Sequence, residues 1–143
     1  ISGTGFYKNH ITSVRVLENL IKKNIDVIIV WVGHKEDLSK ISSYSNNIIT
    51  LPVLNKNEMP PIYKICDLLL FPSLYEGFGA PPLEAMRCGI PVVCSNTSTF
   101  PETTGDAALM CNPTDDAEMT ENILKLFENK DFIKKRLMMD WQE

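Results

Sequence analysis

Two carboxylates, Glu76 and Glu84, stand with seven residues between them, around the turn Gly77-Phe78-Gly79-Ala80-Pro81-Pro82-Leu83. The two glycines can adopt backbone conformations that a Cβ forbids. Pro81 and Pro82 can open a helix, because the first helical N–H groups have no internal partner to lose. A helix start offers free N–H donors and the positive end of a dipole, which together suit an anion. Neither proline can donate, so the usable donors are Phe78, Gly79, Ala80, Leu83 and Glu84. An acidic side chain in the first turn gains roughly 0.3–1 kcal/mol from the dipole, which by itself would account for Glu84. Two carboxylates around one anion site make more sense as acceptors of hydroxyl groups. A carboxylate takes two hydrogen bonds from a vicinal diol, each worth about 1.5–3 kcal/mol. Phosphate on the main chain and hydroxyls on the glutamates together describe a nucleoside diphosphate joined to a sugar.

Lys8 is the third residue of interest. It follows Gly3-Thr4-Gly5 and takes the place of the last glycine of G-x-G-x-x-G, so the dinucleotide fingerprint fails. The P-loop ending G-K-[ST] is missing as well. A single lysine is by default a solvated surface charge, but a helix start disfavours a cation. Lys8 therefore needs a reason to be there. His10 and His34 read as ordinary surface residues, Glu102 as a turn cap, and Asp115-Asp116 as no metal motif.

These residues need elements to position them. The apolar run Asp67 to Phe71 reads as a parallel strand covered on both faces, stopped by Pro72. A helix follows the prolines and ends near Gly89. Upstream, Val14, Leu17, Leu20 and Ile21 give one apolar face to a helix from Asn9 or His10, with Asn24 as its stop. Strands are predicted over 26–32 and 48–51, with a polar helix over 35–44 between them. Pro60 and Pro61 require the next helix to begin near Asn57. Downstream come strands over 90–94 and 107–111, separated by the polar loop Ser95 to Thr99. A helix capped by Thr114 or Asp115 buries Ile123, Leu124 and Phe127, and a last helix starts near Asp131. The alternation predicts an α/β fold, a Rossmann-like parallel sheet with helices on both faces.

Composition bounds the rest. With 143 residues and 22% charged side chains the chain reads as one soluble domain. A net charge of -4 without a basic stripe speaks against a nucleic-acid partner. Cys66, Cys88, Cys94 and Cys111 lack metal-ligand spacing, and three lie in or beside apolar runs, as buried thiols would. No stretch has the length of a membrane span or the pattern of a signal peptide. The chain opens on Ile1-Ser2-Gly3, which reads as the tail of a strand, so a piece of a longer protein is expected.

The stretch Glu76-Gly77-Phe78-Gly79-Ala80-Pro81-Pro82-Leu83-Glu84-Ala85-Met86 resembles the signature of the family-4-type (group 1) retaining glycosyltransferases, which have the two-domain GT-B fold. The similarity continues through Asp67 to Ser73, Gly89 to Asn96, Pro101-Glu102 and Gly105 to Leu109. Upstream, Gly3 to Asn9 resembles the family's first loop and its phosphate-binding lysine. One departure stands out: many relatives carry an arginine with this lysine, and here Phe6 and Tyr7 are its neighbours, with Arg15 a poor substitute.

The resemblance implies that residues 1–143 are the carboxyl-terminal, nucleotide-sugar-binding domain, the amino-terminal acceptor domain lying outside this chain. It implies transfer of a sugar to the hydroxyl of a sugar, glycan or lipid-linked acceptor, with retention and without a metal or cofactor. Glu84 would hold the ribose; Glu76, with Gly77, Phe78 and Gly79, would orient the transferring sugar. Lys8 and the amides of Ala80 and Leu83 would face the diphosphate, and Gly33 and Val53 the base. A cytoplasmic enzyme of polysaccharide biosynthesis is expected, any membrane contact being made through the other domain. A GT-B epimerase or phosphorylase, a non-catalytic nucleotide-binding module and a dinucleotide oxidoreductase are the alternatives, the last weakened by the broken fingerprint.

Overall fold

The computed structural model describes residues 6–33 and 44–129. Helix α1 (His10–Lys22) leads to strand β1 (Ile29–Val32), β2 (Ile48–Leu51), α2 (Met59–Ile65) and β3 (Leu69–Phe71). Helix α3 (Ala80–Arg87), β4 (Val92–Ser95), α4 (Phe100–Thr104), β5 (Leu109–Cys111) and α5 (Asp116–Glu128) complete the order. All pairings are parallel, as expected. They form two ladders, β1–β2 and β3–β4–β5, where the sequence predicts one sheet. Among the described residues β1 and β3 share no rungs. Helix α1 lies against both ladders: Val14 packs with Trp31 of β1, while Val16 and Leu20 pack with Val93 of β4.

The three-stranded ladder is covered on both faces, and its side chains alternate as a pleated strand requires. Leu70, Val93 and Leu109 are in register and face α1 and α5, through Leu20, Met119 and Ile123. Phe71, Cys94 and Met110 are in register on the opposite face, with Tyr63, Ala85, Met86 and Phe100 from α2, α3 and α4. Phe71 meets Phe100 edge-on at 5.8 Å. This double cover explains the continuous apolar runs. It also fixes where β3 ends and the Glu76 turn begins.

Several expectations change in detail. Helix α2 starts at Met59, because Asn55 first makes a turn: its Oδ1 accepts from the N–H groups of Asn57 and Glu58 at 2.9 and 3.1 Å. On α5 the buried face is Met119, Thr120, Ile123 and Leu126, whereas Phe127 is exposed and Leu124 half-buried. The cap of α5 is Asp115, which accepts the Glu118 N–H at 2.9 Å. Cys94 and Cys111 are buried; Cys66 and Cys88 are half-buried, and all four are free. Burial pushes the Cys94 and Cys111 thiols up to about 12 and about 11. Among the described residues no helix is long and apolar enough to cross a membrane. The predicted helices over 35–44 and from Asp131, and the Gly3–Gly5 turn, lie outside the described residues apart from Tyr44, which sits in a turn.

Of the two glycines in the turn, only Gly79 is used as a glycine. It has φ +76°, and a Cβ there would stand 3.0 Å from Cε1 of Phe100. Gly77 has no left-handed φ and open space beside it, which corrects the expectation that both are needed for their conformation. Gly79→Ala should cost about 1–3 kcal/mol of folding free energy, and Gly77→Ala should stay within about 0.5 kcal/mol. Urea denaturation of the two variants side by side checks this; equal stability would contradict the turn geometry.

Candidate functional site

The turn after β3 is open to solvent along most of its length. Tyr75, Gly77, Phe78 and Ala80 are exposed, and Gly79 is buried as the left-handed residue that precedes α3. No side chain caps α3. The N–H groups of Phe78, Gly79 and Ala80 take no partner among the described residues. At α4 and α5 the matching N–H reaches the residue before the helix, Thr103 to Thr99 at 3.0 Å and Met119 to Asp115 at 3.1 Å. At α3, which runs from Ala80 with Gly79 before it, the same pattern sets the Leu83 N–H on the Gly79 carbonyl and the Glu84 N–H on the Ala80 carbonyl, so Leu83 and Glu84 leave the predicted donor set. Two prolines and three unpaired donors make this a helix start ready for an anion.

Lys8 ends a short 3-10 turn, Phe6–Lys8, just before α1. Its ammonium forms an ion pair with Oε1 of Glu76. The two side chains are only 11% and 13% exposed. The ammonium also lies 5.3 Å from the ring centre of Tyr7 and 5.6 Å from that of Phe71. The pair answers why a cation stands ahead of a helix start: carboxylate and ring faces offset the unfavourable dipole and the lost hydration.

Residues distant in sequence hold this pair. Ser73 Oγ lies 2.8 Å from Glu76 Oε1 and 3.1 Å from the carbonyl oxygens of Tyr7 and Tyr75, and its one proton favours the charged acceptor. The Leu74 N–H donates to the Tyr7 carbonyl at 2.7 Å, tying the turn to the Lys8 segment. Asn9, in a left-handed conformation at φ 56°, donates through Nδ2 to the carbonyls of Pro72 and Pro113 at 3.0 and 2.6 Å. Ser98 accepts the Glu76 N–H at 3.2 Å and donates to the Glu76 carbonyl at 2.8 Å. Both side-chain contacts on Glu76 fall on Oε1. Its Oε2 takes no hydrogen bond among the described residues.

Glu84 turns the other way, towards α2. Its Oε2 accepts the hydroxyl of Tyr63 at 3.0 Å, and its Oε1 is likewise without a partner among the described residues. Burial, and then the Glu84 carboxylate, push the Tyr63 phenol far above its ordinary value, so it remains a donor. The two glutamates thus bracket the helix start in sequence and are held by different neighbours, each with one oxygen tethered and one open among the described residues. Gly33 closes β1 with a bond to the Leu51 carbonyl, and Val53 is exposed beyond β2. His34 lies outside the described residues, and no cluster of metal-ligating side chains occurs among them.

The sequence pattern pointed to Lys8, Glu76 and Glu84 but missed Asn9, Tyr63, Ser73 and Ser98. Asn9, Tyr63 and Ser98 act across a long sequence separation, for which a single chain gives no spacing signal, whereas Ser73 reaches Glu76 three residues on. The one local hint was the polar loop Ser95 to Thr99.

Glycosyl transferases group 1 matches residues 3–141. The chain is 32% identical over 121 residues to the serotype-specific mannosyltransferase WbdA of Escherichia coli, covering 80% of this chain and 15% of that protein. It is 44% identical over 72 residues to O-antigen chain mannosyltransferase B of Escherichia coli, half of this chain and 19% of that one. The chain therefore spans less than a fifth of the length of these relatives. Among solved structures, the C-terminal domain of a group 1 glycosyl transferase (LpcC) from Francisella tularensis superposes with a TM-score of 0.78 at 22% identity, over 96% of this chain and 77% of that one. Anabaena HepE in complex with UDP-glucose gives 0.79 at 20% identity, over 93% of this chain and 39% of that one. The parallel ladders flanked by helices are those of a GT-B glycosyltransferase domain. With its fold, its flanked helix start and a match over nearly its whole length in agreement, the chain belongs to the glycosyl transferases group 1 family.

Proposed function

We propose that this chain is the donor-binding, carboxyl-terminal domain of a retaining glycosyltransferase, and that the full-length protein moves a mannosyl group from a nucleoside-diphosphate sugar to a glycan or lipid-linked acceptor hydroxyl. The observation that carries the reading is the pair of half-tethered glutamates that bracket an uncapped helix start in sequence, with Lys8 beside one of them. Mannose is favoured because the two Escherichia coli relatives named above are mannosyltransferases, one named for the O-antigen chain and the other for serotype.

Each group has a distinct task in this reading. The N–H groups of Gly79 and Ala80 take diphosphate oxygens, and the helix dipole adds to them. Glu84 Oε1 accepts the ribose hydroxyls. Glu76 Oε2, with the backbone of Gly77 and Phe78, orients the transferring sugar. Lys8 meets the charge that develops on the leaving diphosphate, so neutralisation rests on protein groups rather than on a metal. Glu76 is given an orienting role and not that of a nucleophile, since hydrolase-type carboxylates stand on opposite sides of one sugar. The acceptor site and closure of the cleft belong to the amino-terminal domain. Synthesis takes place in the cytoplasm, with membrane contact through that domain.

Two variants of the full-length protein separate these tasks. Glu84→Ala should weaken binding of the bare nucleoside diphosphate by about tenfold to a hundredfold, the worth of one or two charged hydrogen bonds. UDP, GDP and ADP titrated by calorimetry provide the measurement, and unchanged affinity would remove the ribose assignment. Glu76→Ala should bind the diphosphate no more weakly than wild type, because Lys8 loses its competing partner. Its transfer rate should nevertheless fall by about a hundredfold or more, read from product formation at saturating donor. A Glu76→Ala enzyme with wild-type turnover would rule out the orienting role.

A further inference from the structure

We infer that Tyr63 is a positioning residue for Glu84, and that its hydroxyl, by holding Oε2, sets the requirement for a vicinal diol at the ligand facing Oε1. The inference rests on the donor-binding reading above and deepens it. Helix α2 buries only Tyr63, which is 4% exposed, while Ile65 at its end is 74% exposed. The ring packs into the cluster that contains Phe71, Ala85 and Met86, so it is anchored to β3 and to the face of α3 that points into the core. From that anchor the hydroxyl reaches across to Glu84 Oε2 at 3.0 Å.

The packing uses the ring; the oxygen is a separate matter. A phenol in this position has one proton to donate, and it is spent on a carboxylate that emerges from the neighbouring helix. Without that bond the Glu84 side chain, half-buried and with three rotatable torsions beyond Cα, can swing along the α3 surface. With it, the carboxylate plane is fixed by two points, the α3 backbone and Tyr63, and Oε1 is left as the acceptor on the far side. Fixing that oxygen before the ligand arrives removes an ordering cost that would otherwise oppose binding. The competing account makes Tyr63 a core tyrosine whose hydroxyl has simply found a partner. It predicts an effect on folding and none on ligand choice.

The test uses the full-length protein and two probes: whichever of UDP, GDP or ADP binds most tightly, and its 2′,3′-dideoxy counterpart. Wild-type protein should prefer the ribose form, and Tyr63→Phe should cut that preference about fivefold to tenfold while leaving the dideoxy affinity unchanged. In turnover assays the KM for the sugar donor should rise by a similar factor, with kcat within about twofold. Because the preference is a ratio on protein that still binds diphosphate, partial loss of folded material does not alter it. Tyr63→Met repeats the measurement if the phenylalanine variant does not fold. An unchanged ratio in the Tyr63 variants, beside a lowered ratio in Glu84→Ala, would overturn the role of Tyr63 and leave the donor site intact. An unchanged ratio in Glu84→Ala as well would overturn the donor-site reading on which the inference rests.

Discussion

The ion pair between Lys8 and Glu76 joins the segment ahead of α1 to the turn ahead of α3. Lys8 would be poorly stabilised there alone. A lysine just before a helix faces the positive end of its dipole, and a mostly enclosed ammonium forfeits hydration worth several kcal/mol. The carboxylate, the Tyr7 and Phe71 rings, and the Ser73 hydroxyl next to it together offset those terms. The sheet serves this pair. Phe71 and Ser73 stand at the end of β3, whose position is fixed by its rungs to β4 and by packing on both faces. Asn9 fastens the other partner by bridging the chain after β3 to the chain after β5. The charge pair is thus only as well placed as the carboxyl edge of the ladder beneath it.

A second constraint concerns the glutamates. A carboxylate has about four lone-pair sites, and one left wholly free in solution samples many orientations. Glu76 and Glu84 are each tethered through one oxygen, by Lys8 and Ser73 in one case and Tyr63 in the other. The tethers remove rotamers without consuming the second oxygen. The same logic extends to the main chain, where Ser98 grips both backbone groups of Glu76. Ser98 does so from a left-handed conformation, φ 60°, which a non-glycine residue adopts at some cost and which a functional turn can retain.

These facts explain what was readable from the sequence. Local signals survived: the apolar runs of β3 and β4, the prolines that open α3, and the Asp115 cap of α5. Each depends on neighbours within a few residues. The two glutamates were readable because their types and spacing around a helix start imply an anion flanked by hydroxyls. The tethers were not readable. Tyr63 and Glu84 are 21 residues apart, and Lys8 and Glu76 are 68 apart. The α5 face was misassigned for a related reason: Leu124, Leu126 and Phe127 fit helical spacing equally well, and the packing against Val93 and Cys111 selects Leu126. Gly77 looked like Gly79 in the sequence, yet only Gly79 lies against Phe100.

The arrangement also resolves a conflict within the proposed mechanism. In that proposal Glu76 serves two partners, Lys8 through Oε1 and the sugar through Oε2. A diphosphate brings roughly two negative charges to a helix end that carries about half a positive charge. Unpaired N–H groups and the dipole alone would leave that excess poorly balanced, which is why the proposal turns Lys8 toward the phosphate. On such a turn Glu76 Oε1 would give up its strongest partner but keep Ser73, while Ser98 would keep the backbone in place. Oε2, which carries neither contact, would stay open to the sugar throughout, so the exchange of one ion pair need not disturb the sugar's orientation.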